Sequence, residues 1–246
     1  MRILITGIAG SLGRAFIKYL VKGNHIIGLD NAEWGIAELE KEYEGENIEF
    51  MLEDFSEWKF DQRPVDLVIH TAAYKHLPLG EKNVNSFIDN NIVKVRRLFS
   101  ECYKNSADFI FISSDKAIEP CNLYGYTKAI GEHLAMEFNG VVARCGNFLN
   151  SSGSVIPVWE KCIKENKPLP ITDLSMKRFV IDVDNAVRQI MDGYLKGEHL
   201  IIPKCEEVSL AELAAYVLQK HGKVYGNYPI EIIGVRQGEK MREKLQ

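Results

Sequence analysis

The chain has 246 residues, of which 46% are hydrophobic and 26% are charged. These fractions are typical of globular proteins and exclude a disordered, collagen-like or coiled-coil chain. Thirty basic and 34 acidic side chains give a formal net charge of −4. Since the longest basic run is the pair Arg96-Arg97, we expect no nucleic-acid partner.

The longest unbroken apolar run, residues 213–218, is six residues long, well short of the roughly 18 that cross a bilayer. The first glycine follows only six residues after the start, which leaves no room for a cleaved secretory signal. We therefore expect a cytoplasmic protein outside the membrane. Five cysteines, at positions 102, 121, 145, 162 and 205, have the spacing of neither a zinc site nor a disulfide framework, so we expect reduced thiols and no metal.

Short apolar runs alternate with helical patterns through the first 145 residues. This alternation predicts a parallel sheet with helices on both faces, the doubly wound α/β Rossmann fold. Leu12, Ala15, Phe16 and Leu20 have helical spacing, and Gly23 follows them as a stop signal. Further helices are predicted at 87–102 and 128–138. The predicted strands are residues 2–6, 25–29, 48–52, 67–70, 109–113 and 141–144.

From about residue 150 the predicted elements become short and mixed, and here we expect a small substrate-binding lobe. We predict a dinucleotide-binding domain at residues 1–149, to which residues 178–203 return, and a lobe formed by residues 150–177 and 204–246. The predicted elements of this part are a helix at 156–164, a proline-rich turn at 167–170, a helix after Asp182, a strand at 200–202 and a helix at 209–221.

A glycine-rich segment, Thr6-Gly7-Ile8-Ala9-Gly10-Ser11-Leu12-Gly13, directly follows the first predicted strand and opens the first helix. Glycines allow the tight turn and the close approach of backbone to a pyrophosphate, and the helix N-terminus supplies amide donors. Because of its position between strand and helix, the segment predicts dinucleotide binding. The residues expected at the cofactor are Gly7, Ala9, Gly10, Ser11, Leu12 and Gly13.

Two acidic residues are expected near the adenosine end of that cofactor. Asp30 ends the second predicted strand, where a carboxylate accepts hydrogen bonds from the ribose hydroxyls. Asn31-Ala32-Glu33 supplies no arginine for a phosphate on that ribose, so we favour NAD over NADP. Asp54 follows the third strand and either meets the adenine amino group or caps a turn.

A phenol and an ammonium, Tyr124 and Lys128, are four residues apart and therefore share one face at a helix start. A lysine cation beside a tyrosine stabilises the phenolate, so the phenol can take a proton from a sugar hydroxyl near neutral pH. Ser114 ends the fifth predicted strand, at the sheet edge where open α/β sheets bind ligands. His70 lies inside an apolar strand, and we interpret it as a hydrogen-bonded core histidine.

Eight segments point to a known family when they are taken together in their order along the chain. They are His70-Thr71-Ala72-Ala73-Tyr74-Lys75-His76, Ser114-Asp115-Lys116-Ala117, Asn122-Leu123-Tyr124-Gly125, Arg144-Cys145-Gly146-Asn147, Gly153-Ser154-Val155-Ile156-Pro157, Leu169-Pro170-Ile171-Thr172-Asp173, Lys177-Arg178-Phe179 and Arg236-Gln237-Gly238-Glu239-Lys240. Nearly the whole chain resembles the extended short-chain dehydrogenase/reductase superfamily. Within it, the chain is similar to the polysaccharide-biosynthesis (CapD-like) UDP-N-acetylglucosamine 4,6-dehydratases.

The resemblance implies a role for each catalytic residue. Tyr124 removes the proton from the sugar 4-hydroxyl while hydride passes to the nicotinamide, with Ser114 bonded to the same hydroxyl and Lys128 holding the cofactor ribose. The resulting 4-ketone acidifies the hydrogen on carbon 5. Lys116 then matches the family's base and Asp115 its acid in the loss of the 6-hydroxyl as water. Adjacent opposite charges are also the usual appearance of a solvated surface pair.

The resemblance also implies which residues bind the UDP-sugar in a small nucleotide-sugar-binding lobe. Arginines suit phosphate oxygens because of their planar fork, and Arg144, Arg178 and Arg236 are candidates for the diphosphate. The full set of expected substrate contacts is Lys75, Glu81, Asn147, Ser154, Arg178, Arg236 and Glu239, with Arg144 beside them. Further cofactor contacts are expected at Phe55, Ala72, Ala73, Lys75, Asn91, Tyr124 and Lys128.

Two other functions are compatible with part of this pattern. A UDP-N-acetyl-sugar 4-epimerase or a 4-ketoreductase needs Ser114, Tyr124 and Lys128 but not Asp115 with Lys116. A non-catalytic dinucleotide sensor would keep the fold and have no use for the phenolate. The chain is shorter than the full-length soluble members, and it lacks the Ser-Arg-Asp-Glu of the NADP-using ones.

The resemblance further implies a homodimer. Members of this superfamily often pair through a four-helix bundle, formed here by the helices at 87–102 and 124–138. We therefore expect apolar residues on the outer faces of both helices.

Overall fold

A computed structural model describes residues 1–151 and 153–246. The strands are β1 Arg2–Thr6, β2 His25–Asp30, β3 Ile48–Leu52, β4 Leu67–His70, β5 Asp108–Ser114, β6 Val141–Cys145, β7 Asn147–Phe148, β8 Leu169–Ile171, β9 Lys177–Ile181, β10 Leu200–Ile201, β11 Glu206–Ser209 and β12 Ile230–Ile232. The helices are α1 Ser11–Leu20, α2 Glu33–Glu42, α3 Leu77–Lys82, α4 Val84–Ile88, α5 Lys94–Lys104, α6 Leu123–Glu137, α7 Val155–Lys164, α8 Val183–Leu195 and α9 Leu210–Lys220.

Seven parallel strands form the main sheet in the order β3-β2-β1-β4-β5-β6-β10. The chain moves outward in one direction from β1 to β3 and then returns to add β4 on the other side of β1. This reversal makes a topological switch point between β1 and β4, where open α/β sheets bind ligands at the carboxyl ends of their strands. The predicted doubly wound Rossmann fold is confirmed.

Both faces of the main sheet are covered, because alternate residues along each strand point to opposite sides. Ile3 and Ile5 of β1 pack with Phe16 of α1 and Ile190 of α8 on one face. On the other face, β1 contributes Leu4 to a second cluster. That cluster also contains Phe99, Phe109, Val142 and Ala135. Burial on both faces explains why the strands read as short continuous apolar runs.

The remaining strands lie outside the main sheet. Strand β9 pairs antiparallel with β11 and parallel with β7, and β12 pairs in parallel with β8. Helices α7 and α9 pack together over a third apolar cluster that contains Trp159, Leu213 and Val217. Between β9 and β11 the chain returns to the main sheet, since α8 packs on α1 and β10 pairs with β6.

Two of the predicted elements differ in kind from what the structure shows. The helix expected at 87–102 contains a π-helical segment, Asp89–Val93, which separates α4 from α5. The prediction of a turn at 167–170 was wrong for residues 169 and 170, because Leu169–Ile171 is strand β8. Pro170 fits there because a two-stranded sheet leaves one side of each strand unpaired, so the missing N–H costs no ladder bond.

Within residues 1–151 and 153–246, no helix is both long enough and apolar enough to cross a membrane. Across the same residues, no three or more His, Cys, Asp or Glu side chains come together as a metal site would require. The five cysteines are free thiols, and two of them, Cys102 and Cys145, are buried.

Candidate active site

A groove of about 470 Å³ opens at the switch point, along the carboxyl ends of β1, β4 and β5. Its volume is within the range of small-molecule and cofactor sites. Most of the predicted site residues line it. They are Gly7, Gly10, Ser11, Leu12, Asp30, Asp54, Phe55, Ala72, Ala73, Lys75, Ser114, Lys116, Tyr124, Lys128, Asn147 and Ser154.

The glycine turn between β1 and α1 forms one wall of this groove. Gly7 has a φ of +70°, and a Cβ there would lie 2.7 Å from the Ala72 nitrogen. A Cβ on Gly13 would lie 2.5 Å from the Gly7 oxygen. Neither position tolerates a side chain, so α1 begins directly against the turn with its first amides at the groove. This arrangement fits a dinucleotide pyrophosphate.

One end of the groove is acidic. The Asp30 carboxylate is held in place by the backbone, since it accepts hydrogen bonds from the Ala9 and Ala32 amides, each at 3.0 Å. Glu53 and Asp54 line the same end. Asp54 caps the short turn after β3, as one of its two predicted roles requires, and it pairs with Lys94 at 2.6 Å.

Three predicted cofactor residues do not line the groove and support it from behind. The Ala9 amide positions Asp30, and Gly13 allows α1 to approach the turn. Asn91 is buried, and its side chain binds both backbone groups of Tyr74, at 2.9 and 2.8 Å. The segment after β4 that carries Ala72 and Lys75 is therefore fixed from beneath.

Ser114, Tyr124 and Lys128 meet at the centre of the groove. Ser114 lies beside Tyr124 in the groove, and its hydroxyl lowers the pKa of the phenol. Lys128 is buried, and its ammonium donates to the Ile112 oxygen at 2.6 Å and lies 5.9 Å from the centroid of the Tyr124 ring. Burial lowers the pKa of Lys128 to about 8. The predicted juxtaposition of hydroxyl, phenol and ammonium is present.

The expected effect of Lys128 on the phenol differs from what the structure gives. Burial raises the pKa of Tyr124 above its usual value, and the Asp115 carboxylate raises it further. Among the main influences, only the Ser114 hydroxyl lowers the pKa of Tyr124. Residue spacing does not reveal desolvation. Desolvation disfavours a charged phenolate more strongly than the nearby cation favours it.

Asp115 and Lys116 form a turn at the groove and not a solvated surface pair. The Asp115 side chain is completely buried, whereas the Lys116 ammonium reaches the groove and contacts its Oδ1 at 2.9 Å. The same oxygen accepts from the Ser114 hydroxyl at 2.9 Å. Asn147 closes the set, donating to Asp115 Oδ2 and accepting from Lys116, both at 3.3 Å.

Among the predicted substrate contacts, Ser154 lines the groove and its buried hydroxyl has no hydrogen-bond partner within the described part of the chain. Glu81 does not line the groove. Its carboxylate accepts from the Leu123 amide, 2.9 Å away at the start of α6. The Ser154 hydroxyl is available to a polar ligand, whereas the Glu81 carboxylate is occupied at the start of α6.

Three further substrate predictions are not supported by the placement of the side chains. Arg178 donates to the Lys240 oxygen at 2.9 Å, and Glu239 accepts from the exposed Arg236 backbone amide at 3.3 Å. Neither these residues nor Arg236 line the groove. The Arg178 guanidinium and the Glu239 carboxylate are therefore engaged with the protein backbone.

Arg144 was also expected to bind phosphate, and the structure places it in a buried ion pair. Its guanidinium donates to both Glu132 oxygens, at 2.9 and 2.6 Å, and to the Leu245 carbonyl at 3.0 Å. The Glu132 carboxylate also accepts from Ser113 at 2.5 Å. Arg144 therefore joins α6, β5 and β6 and is unavailable to a ligand.

His76 and Asn122, one in the groove and one beside it, were not singled out as site residues from the sequence. His76 lines the groove at the start of α3, and a Cβ on Gly153 would lie 2.9 Å from its ring. Asn122 caps α6 just ahead of Tyr124. The signal for both was present in the family segments, which place His76 after Lys75 and Asn122 before Tyr124.

The family model described as "Polysaccharide biosynthesis protein" matches residues 3–246. The UDP-N-acetylglucosamine 4,6-dehydratase (inverting) of Campylobacter jejuni serotype O:2 is 34% identical over 260 residues, covering 98% of this chain and 76% of that protein. The X-ray structure of Pen from Bacillus thuringiensis has a TM-score of 0.89 at 28% identity and covers 98% of this chain and 80% of that one.

DesIV, a dTDP-glucose 4,6-dehydratase from Streptomyces venezuelae determined with NAD and TYD bound, has a TM-score of 0.88 at 20% identity. The match covers 100% of this chain and 88% of DesIV, and at that identity it concerns the fold alone. The family model, by contrast, spans almost every residue described above. The chain therefore belongs to the polysaccharide biosynthesis protein family.

Proposed function

We propose that the protein is a nucleotide-sugar 4,6-dehydratase acting on UDP-N-acetylglucosamine in the biosynthesis of a surface polysaccharide. The observation that carries the proposal is the Asp115-Lys116 turn, whose charged groups lie 2.9 Å apart beside Ser114 and Tyr124. Oxidation at carbon 4 alone needs only a hydroxyl, a phenol and an ammonium. Elimination of water needs an additional acid and base, and this turn supplies both.

The cofactor that fits the groove is NAD in preference to NADP. A bound nicotinamide dinucleotide supplies reversible acceptance of hydride. Asp30 would accept from the adenosine ribose hydroxyls, while a phosphate on that ribose would face the carboxylates of Asp30, Glu53 and Asp54. The α1 N-terminus would hold the pyrophosphate, and Lys128 would hold the nicotinamide ribose.

Tyr124 is proposed to take the proton of the sugar 4-hydroxyl. Because burial opposes the phenolate, the groups that favour negative charge at its oxygen decide the reactivity. These are the Ser114 hydroxyl, which lowers the pKa of the phenol, and the Lys128 ammonium, which lies 5.9 Å from the centroid of its ring. General-base contributions of this kind are typically worth about 10² to 10⁴ in rate.

The Asp115-Lys116 pair accounts for elimination with balanced protons. Passing one proton along their hydrogen bond turns the ion pair into a neutral amine and a carboxylic acid. The amine then takes the proton from carbon 5. Asp115 is buried and does not line the groove, so the acid gives its proton to the leaving 6-hydroxyl through the Ser114 hydroxyl that bonds it. Water leaves, and the original ion pair is regenerated. The hydride taken from carbon 4 then returns to carbon 6 while carbon 5 takes back a proton, so the sugar undergoes no net oxidation.

Mass spectrometry of the nucleotide sugar after incubation with protein and NAD tests this proposal. We expect a product lighter than UDP-N-acetylglucosamine by one water. Lys116→Ala removes the base and should abolish this product, while Lys161→Ala, which changes an exposed lysine of α7, should leave it intact. An unchanged mass at a new retention time would instead identify a 4-epimerase, which uses Ser114, Tyr124 and Lys128 alone.

We also propose a homodimer formed through the helices on one side of the sheet. Apolar side chains remain exposed on this surface, on α4, on the π-helical segment Asp89–Val93 and on α6. Burial of such a set on a second copy would remove apolar area from water. The four residues are Ile88, Val93, Tyr126 and Ile130.

A further inference from the structure

The C-terminal segment 238–245, here called the strap, lies between the Asp115-Lys116 turn and strand β9. On one side it binds the loop that runs from Asp115 to α6. On the other side its backbone pairs with β9, where the Lys177 amide donates to the Met241 oxygen at 2.8 Å. The strap therefore contacts the loop from outside the groove, and its backbone is tied to a second sheet.

The first contact uses both ends of one amide side chain. Asn122 Oδ1 accepts from the Gly125 amide at 2.8 Å and so caps α6, two residues before Tyr124. Its Nδ2 donates to the Gly238 oxygen at 2.7 Å. Gly238 has a φ of +81°, and a Cβ there would lie 3.0 Å from the Asn122 Cβ. The position of the cap thus depends on a close approach that only glycine allows.

The second contact holds the Asp115-Lys116 turn itself. The Lys240 ammonium donates to the Ile118 oxygen at 2.7 Å, directly after the short helix Asp115–Ala117. It also pairs with the buried Glu243 carboxylate at 3.0 Å. The Lys240 oxygen is held in turn by the Arg178 guanidinium, so the lysine is fixed at both ends.

We propose that the strap is a positioning device for the reaction. Asn122, Gly238 and Lys240 act as positioning residues that fix the Asp115-Lys116 turn and the start of α6 relative to each other. Reacting groups must be placed closely, and a displacement of about 1 Å far from the chemistry can cost roughly 10²-fold in rate. This inference rests on the proposed function only in one respect, namely that the reaction assisted by the strap is the proposed dehydration.

The variant Asn122→Asp separates the two contacts of that side chain. Aspartate keeps the oxygen that caps α6 and loses the donor to Gly238, so the fold and the helix cap are retained. We expect kcat to fall roughly 10- to 100-fold, with KM and the midpoint of thermal unfolding close to those of the wild type. Arg242→Gln is the control, because Arg242 lies in the strap and pairs only with the surface residue Glu207.

An unchanged kcat in Asn122→Asp would overturn the proposal. A parallel loss of kcat and thermal stability would also overturn it, since this would show a structural role alone. Hydrogen exchange provides a readout that does not depend on catalysis. In Asn122→Asp the amides of residues 115–125 should exchange roughly fivefold faster than in the wild type, and equal exchange rates would contradict the strap even if the wild type showed no dehydratase activity.

Discussion

His70 lies at the carboxyl end of β4, completely buried beneath the groove. Its Nδ1 bonds the Thr6 hydroxyl at 2.8 Å, and its ring packs against Phe55 and Phe111. The expectation of a hydrogen-bonded core histidine is confirmed. Burial, together with the charge of Lys128, lowers the pKa of His70 to about 3. The imidazole is therefore neutral in the folded protein at neutral pH.

This lowered pKa predicts a loss of stability in acid. As pH falls below about 6.5, the unfolded chain gains a proton on His70 that the folded protein does not bind until about pH 3. Between those values the free energy of unfolding should fall by up to about 1.4 kcal/mol per pH unit. Above pH 6.5 this contribution to stability is fully present.

The comparison is with His70→Asn, which does not titrate and keeps a polar partner for Thr6. Urea unfolding at pH 7.5 and pH 5 should show a decrease that is about 2 kcal/mol larger in the wild type than in the variant. The same pH dependence in both proteins would mean that His70 is accessible to protons in the folded state.

At this scale the sequence predicted which residues meet and not how they ionise. Spacing and strand order brought Ser114, Tyr124 and Lys128 together, because the carboxyl ends of parallel strands share one edge. The direction of the Tyr124 pKa shift depends on burial in three dimensions, which no local pattern contains. The pairing of Arg144 with Glu132 was hidden for the same reason, since the two residues meet only when α6 packs on β6.

Among the elements, α1 depends on the absence of a side chain at Gly13. A Cβ there would lie 2.5 Å from the Gly7 oxygen and 2.7 Å from the Ile8 Cα, so Gly13→Ala must push the helix away from the glycine turn. We expect a loss of about 1–3 kcal/mol of stability and at least roughly tenfold weaker NAD binding by calorimetry.

Gly226→Ala is the matched control, because a Cβ at this position would meet nothing within 4 Å. It should leave both NAD affinity and stability close to the wild type. NAD affinity in Gly13→Ala equal to that of the control would show that the position of α1 does not determine cofactor binding.

The joint between α6 and β6 depends on the Glu132–Arg144 pair. Their side chains are only 8% and 11% exposed, so Arg144→Met leaves a buried carboxylate without its cation. The expected loss is about 3–5 kcal/mol of unfolding free energy. The double variant Arg144→Met with Glu132→Leu removes both charges and should recover most of that loss. A double variant as unstable as the single one would contradict this explanation.

The predicted elements were most accurate where burial is uniform. Strands β1 and β4 match their predicted bounds, because continuous apolar runs mark strands covered on both faces. Short strands β7, β8, β9 and β12 were not predicted, since their pairing is set by contacts with distant segments. The interruption of the 87–102 helix at Asp89–Val93 likewise has no clear signal in apolar spacing.

For the whole molecule, the proposed dimer predicts a defined change in mass. Size-exclusion chromatography with light scattering should give twice the chain mass for the wild type. Val93→Glu with Ile130→Glu places charges on two side chains that are 56% and 42% exposed, so the monomer should fold normally and fail to pair. Leu195→Glu changes an apolar residue that is 74% exposed on α8 and should remain dimeric. A monomeric wild type would refute the dimer.

The central claim is that one groove oxidises carbon 4 of the sugar and eliminates water across carbons 5 and 6. The most direct test uses UDP-N-acetylglucosamine with deuterium at carbon 4, incubated with the protein and NAD and analysed by mass spectrometry and NMR. We predict a product that has lost one water and carries the deuterium at carbon 6. Deuterium that returns to carbon 4, in a product of unchanged chemical composition, would contradict dehydration.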